Sequence, residues 1–215
     1  MRYIYNNDTY EKEPGELLLA LIIRGVLAAL AAVVLETVGQ VILNLSPISG
    51  DSAAYYIVLA FFVVAVVEEG TKLFFLHRRT WNDPNFDYRF DGIVYSTFVS
   101  LGFAAFENIK YVFSYGLSVA IPRALLAIPG HLGFAVVMGY FYGRARIAEN
   151  HGNHDWAKRN IFMGYLCAVL MHGFYDSCAM IGNGISTVLF IIFIICMYIG
   201  VFRLVRKESQ TNTRI

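Results

Sequence analysis

Long apolar stretches alternate with short polar ones along almost the whole chain. A helix needs about 20 mostly apolar residues to cross a bilayer. Stretches that meet this requirement are 17–45, 53–76, 92–115, 119–142, 161–181 and 185–205. The pattern therefore predicts an all-α protein, a polytopic membrane bundle of about six to eight transmembrane helices.

Composition supports a membrane protein. Of the 215 residues, 57% are hydrophobic and 15% are charged, whereas a soluble domain has roughly 25% charged residues. The net charge of +1 gives no indication of a nucleic-acid partner. The cysteines, Cys167, Cys178 and Cys196, all lie in apolar stretches and are odd in number, so we expect free thiols instead of a disulfide framework.

The basic residues outside the apolar stretches predict the orientation. Lys and Arg concentrate on the cytoplasmic side of membrane proteins. They occur here in the N-terminal segment, in alternate loops and in the C-terminal tail: Arg2, Lys12, Arg78, Arg79, Arg89, Arg144, Arg146, Lys158, Arg159, Arg203, Arg206, Lys207 and Arg214. The intervening loops, including SPISGD, have none. Both termini are therefore predicted to be cytoplasmic.

This orientation divides the chain into three parts. Residues 1–16 form a cytoplasmic N-terminal segment, residues 17–205 a transmembrane domain, and residues 206–215 a cytoplasmic tail. The first part lacks the basic flank and short apolar core of a secretory signal peptide. The first span is therefore expected to remain in the mature protein.

Ionisable side chains interrupt four of the predicted spans. A charge at the centre of a span costs roughly 2.5–3.5 kcal/mol and usually faces a bundle interior or a water-filled cavity. The residues are Glu68, Glu69, Lys72, Glu107, Lys110, Arg123, His131, His172 and Asp176. With a rise of about 1.5 Å per residue, the carboxylates and imidazoles fall at similar depths near the midplane. We therefore expect them to converge in one layer.

Spacing within the helices links some of these residues. His172 and Asp176 are four apart and share a helix face, so the carboxylate can orient the imidazole. Glu68 and Lys72 have the same spacing, which a purely structural ion pair would also explain. A single histidine in a span is equally explained by an interhelical hydrogen bond.

Other charges have simpler interpretations. Lys110 and Arg123 lie near the outer ends of their spans and are expected to extend toward the interface. Arg24 and Glu36, in the first span, are expected to be helix-packing partners or interfacial.

Two histidines and neighbouring carboxylates predict hydrolytic chemistry. Such a set can bind zinc with one open position, or it can activate water without a metal. Both alternatives stay open, and both favour hydrolysis, above all of a peptide bond. The sequence contains no GxSxG or HExxH motif and no phosphate-binding or dinucleotide-binding fingerprint.

Four short motifs that contain these ionisable residues occur in a characteristic order along the chain. EEGTK at 68–72, FAAFEN at 103–108, RALLAIPGH at 123–131 and HGFYD at 172–176 follow one another on consecutive spans. Together they resemble the PrsW family of intramembrane proteases, which is distantly similar to CAAX prenyl endopeptidases and bacteriocin-processing membrane proteases. The resemblance implies a bacterial cell-membrane enzyme with 17–205 as its protease domain. It also implies site-1 cleavage of a single-span anti-sigma factor, with membrane lipid as the other partner.

Roles for the site residues follow as hypotheses. The predicted site comprises Glu68, Glu69, Lys72, Glu107, Asn108, His131, His172 and Asp176. Where zinc holds the reacting water, its predicted ligands are Glu69, Glu107, His131 and His172. Glu68 is assigned as general base, although Glu69 lies only about 100° away around the helix and is an equal candidate. Lys72 balances charge, Asp176 orients a histidine, and Asn108 stabilises the developing oxyanion.

Two other function classes compete with proteolysis. Intramembrane carboxylates and histidines also build proton relays in transporters and channels. The sequence shows no duplicated halves, and its polar residues gather in one layer, which disfavours a transporter. A catalytically silent scaffold that binds other spans is the second alternative.

Overall fold

The structure, a computed structural model, describes residues 2–8, 10–48, 50 and 52–215. Its helices are α1 (Arg2–Asn7), α2 (Gly15–Asn44), α3 (Ala53–Val58), α4 (Val66–Thr80), α5 (Asp91–Tyr115), α6 (Ala120–Asn150), α7 (His154–Ile181) and α8 (Gly184–Gln210). A π-helical segment (Leu59–Ala65) joins α3 to α4, and a 3₁₀ turn (Leu117–Val119) precedes α6. Residues 1, 9, 49 and 51, in the predicted N-terminal segment and first loop, lie outside the described residues.

Five helices among the described residues are long and apolar enough to cross a membrane: α2, α5, α6 with its preceding turn, α7 and α8. The all-α prediction is confirmed, and each of these helices coincides with a predicted span. The stretch 53–76 is not among the five, because its helix is divided into α3, the π-helical segment and α4. Its last part also carries the charges of EEGTK.

The helices extend beyond the predicted ends of the spans. α6 continues to Asn150 and α7 begins at His154, so only 151–153 separate them. The side chain of Asn153 accepts a hydrogen bond from the Trp156 backbone N–H and caps α7. α8 likewise continues into the predicted tail. Polar helix-forming residues thus prolong the helices past the apolar stretches on which the prediction relied.

Burial differs strongly between the helices. In the most apolar part of α5, 67% of the residues are buried, and α5 packs most extensively on α2 and α6. In the corresponding part of α8 only 11% are buried. α5 is therefore the centre of the bundle and α8 its most peripheral helix.

The α2–α5 contact depends on glycine. A Cβ atom on Gly25 would lie 1.9 Å from the Val99 carbonyl oxygen, and one on Gly102 would lie 2.0 Å from that of Ile22. Small residues let membrane helices approach this closely. The contact matters for the polar layer because α5 also carries Glu107.

Replacing Gly25 by alanine should destabilise the protein by about 1–3 kcal/mol, because the added methyl group would clash with backbone atoms of α5, which cannot change rotamer as a side chain can. Thermal unfolding of the purified protein in detergent measures the effect. Gly200→Ala in α8 is the matched control, because a Cβ there meets nothing within 4 Å. Equal melting temperatures for the two variants would contradict the close packing of α2 on α5.

Candidate active site

The EEGTK segment begins one turn after the π-helical segment. Glu68 and Glu69 are 3% and 1% exposed, so both carboxylates are inside the bundle. Phe61, in the π-helical segment, packs on α7, where a Cβ atom at Gly173 would lie 2.4 Å from its ring. This close approach places His172 beside the two glutamates. π-Helical turns occur frequently at functional sites.

Lys72 places one positive charge between the two glutamates. Its ammonium donates to Glu69 Oε1 at 2.8 Å and to Glu68 Oε2 at 3.2 Å. It also lies 3.2 Å from His131 Nδ1, and the Phe103 ring faces it at 4.1 Å. An ammonium has three donors and no acceptor. His131 Nδ1 must therefore accept, which leaves the ring proton of a neutral His131 on Nε2.

The other side of His131 meets a second charged group. His131 Nε2 donates to Glu107 Oε2 at 2.8 Å, and Arg123 Nη2 donates to the same oxygen at 2.9 Å. Arg123 also donates to Asn108 Oδ1 at 2.8 Å and stacks on Tyr111 at 3.6 Å. The expectation that Arg123 extends toward the interface is wrong, because a carboxylate, an amide and an aromatic ring hold it inside.

His172 lies between two carboxylates. Its Nδ1 is 2.8 Å from Glu69 Oε1, and its Nε2 is 3.3 Å from Asp176 Oδ2. Phe134 stacks on the imidazole with the ring centroids 5.0 Å apart. Because both ring nitrogens face carboxylate oxygens, the surroundings suit a doubly protonated imidazolium. The two histidines of the site are thus chemically different.

Four of these residues are close enough to hold a metal ion. One ligand atom each from Glu68, Glu69, His131 and His172 lies within 4.8 Å of the other three. The group contains Glu68 where the sequence prediction has Glu107. Two imidazoles and two carboxylates are a suitable zinc set, so the donor chemistry fits a metal. Lys72 already contacts donor atoms of three of them, so metal binding requires its ammonium to withdraw.

A cavity of about 500 Å³ adjoins the cluster. Residues that line it include Glu68, Glu107, His131, His172 and Asp176. Glu69, Lys72 and Asn108 are not among its described lining residues. It is also lined by residues near one end of each of the helices α5 to α8, the end at which residues 116–119 connect α5 to α6 and residues 182–183 connect α7 to α8: Tyr111, Pro122, Gly182 and Thr187. The cavity therefore extends from the polar cluster to that end of the bundle.

Sequence reasoning missed three parts of this site. Glu36, expected to be a packing or interfacial residue, lines the cavity. Arg123 is the first residue of the RALLAIPGH motif, yet the predicted site did not include it. Phe134, three residues after His131, was not predicted to belong to the site, although its ring stacks on His172. The motif spacing could have indicated Arg123, but no local signal indicates Glu36.

Comparison with known proteins agrees with the geometry. A family model described as PrsW family intramembrane metalloprotease matches residues 13–202. The chain belongs to the PrsW family. It is therefore an intramembrane protease, and its buried Glu–His cluster is consistent with an active site.

Individual PrsW relatives cover most of the chain. Protease PrsW of Clostridioides difficile (strain 630) is 32% identical over 202 residues, which are 92% of this chain and 82% of the relative. Protease PrsW of Geobacillus kaustophilus (strain HTA426) is 36% identical over 177 residues, 82% of this chain and 72% of the relative. Protease PrsW of Bacillus subtilis (strain 168) is 31% identical over 176 residues, which are 82% of this chain and 75% of the relative. No solved structure matches the chain.

Proposed function

We propose that the cavity-lining cluster is the proteolytic centre and that Glu68 is its general base. The observation that carries the proposal is convergence: Glu68, Glu107, His131 and His172 reach one cavity from four different helices. Buried charges in a membrane are costly, and a shared cavity gives them access to water and substrate.

The surroundings distinguish the two adjacent glutamates. Glu69 is engaged by Lys72 and by His172, each at 2.8 Å, and does not line the cavity. Glu68 lines the cavity and has the longer contact, 3.2 Å, with Lys72. Glu68 is therefore the carboxylate available to water, whereas Glu69 fixes the lysine and the histidine.

The proposed reaction is addition of water to a peptide carbonyl. Glu68 takes one proton from water, and the water oxygen attacks the carbonyl carbon. The positive charge of the His172 imidazolium, which lines the cavity, stabilises the charge that develops on the carbonyl oxygen. Glu68 then returns the proton to the leaving nitrogen as the C–N bond breaks. The products are a carboxylic acid and an amine, and the acid then gives its proton to the amine, so that a carboxylate and an ammonium group leave.

A chain of contacts positions these groups. Arg123 holds Glu107, and Glu107 holds the His131 ring through Nε2. His131 Nδ1 in turn limits where the Lys72 ammonium lies. We assign Arg123 and Asn108 positioning roles, because Asn108 accepts from Arg123 instead of facing the cavity.

The family name implies a metal. Glu68, Glu69, His131 and His172 are the residues that would hold it. A zinc ion there would lower the pKa of a bound water and polarise the carbonyl. The roles of Asp176 in orienting His172 and of Glu107 in orienting His131 are the same with or without the ion.

The substrate class and location are further parts of the proposal. The chain is a membrane protein with five candidate spans, and we place it in the bacterial cytoplasmic membrane with both termini in the cytoplasm. The helical stretch 53–80 is the sixth crossing. With that topology the cavity mouth faces the outer surface. The substrate is a single-span membrane protein, and an anti-sigma factor is the proposed example.

Cleavage by the purified protein tests the proposed function. The full chain in liposomes with a single-span substrate should release one defined fragment, and His172→Ala should abolish it. His151→Ala, in the short connection between α6 and α7, is the matched control and should retain full activity. Ion flux without fragment release would favour a transporter, and an equally active His172→Ala would overturn the proposed site.

A further inference from the structure

A second apolar space lies between α6 and α8. It has a volume of about 370 Å³ and is open to the lipid-facing surface. Its lining includes Leu125, Pro129 and Gly133 of α6, Tyr198 and Phe202 of α8, and Tyr3 of α1. We call this space the α6–α8 groove.

The groove adjoins the catalytic cavity. On α6, Leu125 lines the groove while the next residues, Leu126 and Ala127, line the cavity. On α8, Phe190 lines the cavity and Tyr198, two turns further on, lines the groove. The seam where α6 meets α8 is therefore the barrier between membrane lipid and the catalytic residues.

The seam is lightly built. α8 is the least buried of the five candidate spans. Two aromatic pairs hold it to α7, Phe174–Phe193 and Tyr175–Phe190, with ring centroids 5.0 and 4.8 Å apart. It meets α6 where the flexible Met197 side chain rests on Gly133, with Sδ 2.9 Å from the position of an added Cβ. Opening of the seam therefore requires the methionine contact with α6 to part while the aromatic contacts with α7 hold.

An unpaired hydroxyl indicates what the groove receives. Tyr198 Oη is inaccessible to solvent and has no hydrogen-bond partner among the described residues. A buried hydroxyl without a partner costs about 1–3 kcal/mol. Position 198 is 14 residues after Gly184 and seven before residue 205, where the predicted span ends, so it lies roughly 21 Å from one end of the apolar stretch and 10 Å from the other.

That depth decides between two occupants. The ester and headgroup oxygens of a lipid lie at the interface, and acyl chains offer no acceptor. A transmembrane helix that unwinds for cleavage exposes backbone carbonyl groups within the apolar layer of the membrane, and each of these needs a donor. The chemistry therefore matches a substrate helix.

We propose that α6 and α8 form a lateral gate, and that the transmembrane helix of the substrate docks in the α6–α8 groove before its peptide bond reaches the cavity. The Tyr198 hydroxyl donates to a carbonyl group of the unwinding segment. The proposal rests on the proposed proteolytic function and adds the route by which the substrate arrives.

A reversible cross-link across the seam tests the gate. Gly133→Cys and Met197→Cys are combined in a chain whose native cysteines are replaced by alanine. Met197 Cγ, where a cysteine Sγ would lie, is 3.4 Å from the position of a Cβ at 133, so a disulfide is within reach. Oxidation should slow cleavage of a liposome-embedded single-span substrate at least tenfold, and reductant should restore it. Each single-cysteine variant is the control.

A soluble peptide with the same cleavage sequence separates the gate from the chemistry. The oxidised double variant should cleave it within twofold of the reduced rate, because the peptide reaches the cavity from its mouth. Undiminished cleavage of the embedded substrate by the locked protein would overturn the gate, and so would equal loss of both activities. Peptide cleavage by the unlocked chain reports separately on the proposed function.

Photo-cross-linking tests the groove without relying on activity. A benzoylphenylalanine at position 202 in the groove should cross-link to the substrate helix. The same residue at position 30, which is lipid-exposed on α2, is the control and should not. Cross-links from position 202 to lipid alone would assign the groove to lipid and contradict the proposal.

Discussion

Replacing Glu68 by glutamine should reduce the rate of substrate cleavage by about 10²–10⁴-fold, the usual contribution of a general base. Glutamine keeps the shape of the side chain but cannot take a proton from water. Thermal stability should be unchanged or higher, because Lys72 keeps its 2.8 Å contact with Glu69. The measurement is cleavage of a single-span substrate in liposomes, beside the melting temperature in detergent.

Glu69→Gln separates the two carboxylates. It removes a charge that holds both Lys72 and His172, so it should lower the melting temperature as well as the cleavage rate. Glu149→Gln, near the end of α6 and remote from the cavity, is the control and should change neither. A Glu68→Gln variant that cleaves at the normal rate would remove Glu68 as the base.

Replacing Lys72 by methionine should destabilise the metal-free protein by about 3–5 kcal/mol. The substitution leaves two buried carboxylates without their cation, and breaking a buried ion pair from one side has that cost. Thermal unfolding in detergent with a chelator present measures the loss. Lys110→Met is the matched control, because Lys110 lines the cavity beside Tyr111 and should cost far less.

Zinc should reverse much of the Lys72→Met defect. The ion would take the place of the ammonium among the donor atoms of Glu68, Glu69 and His131, and binding to the folded state raises its stability. Metal analysis should show more zinc per chain in the variant than in the native protein. A variant that stays destabilised and zinc-free would exclude these residues as a metal site.

Five of the helices could be predicted from apolar length alone, because a bilayer imposes that length on any spanning helix. The i, i+4 pairing of His172 with Asp176 was also accessible, since helical geometry fixes which residues share a face. Contacts within one helix, and depths along it, are properties that local sequence determines.

Contacts between different helices could not be predicted from the sequence. Glu36 reaches the cavity because glycines bring α2 close to α5, and no spacing rule relates residue 36 to residue 107. Arg123 lies near a helix end, where a long cation normally turns outward. It turns inward because Glu107 and Asn108 meet it from the neighbouring helix.

The π-helical segment is a third feature that could not be predicted from the sequence. Residues 59–65 read as an ordinary apolar helix, and the widened turns reflect packing against α7. Those turns set the direction in which Glu68 and Glu69 point. The sequence therefore left the two carboxylates equivalent, and their separate surroundings in the structure support Glu68 as the base.

Thiol labelling tests most directly whether a water-filled cavity reaches the cluster within the membrane. The two variants are Ala127→Cys, at a position that lines the cavity, and Ile191→Cys, at a position exposed to lipid. The positions are matched in depth, because each lies seven residues after the first residue of its helix, Ala120 for α6 and Gly184 for α8. In a chain without native cysteines, a charged, membrane-impermeant thiol reagent added from the cavity side should modify position 127 rapidly and position 191 negligibly. An unreactive 127, or equal reaction at both positions, would contradict an aqueous active site.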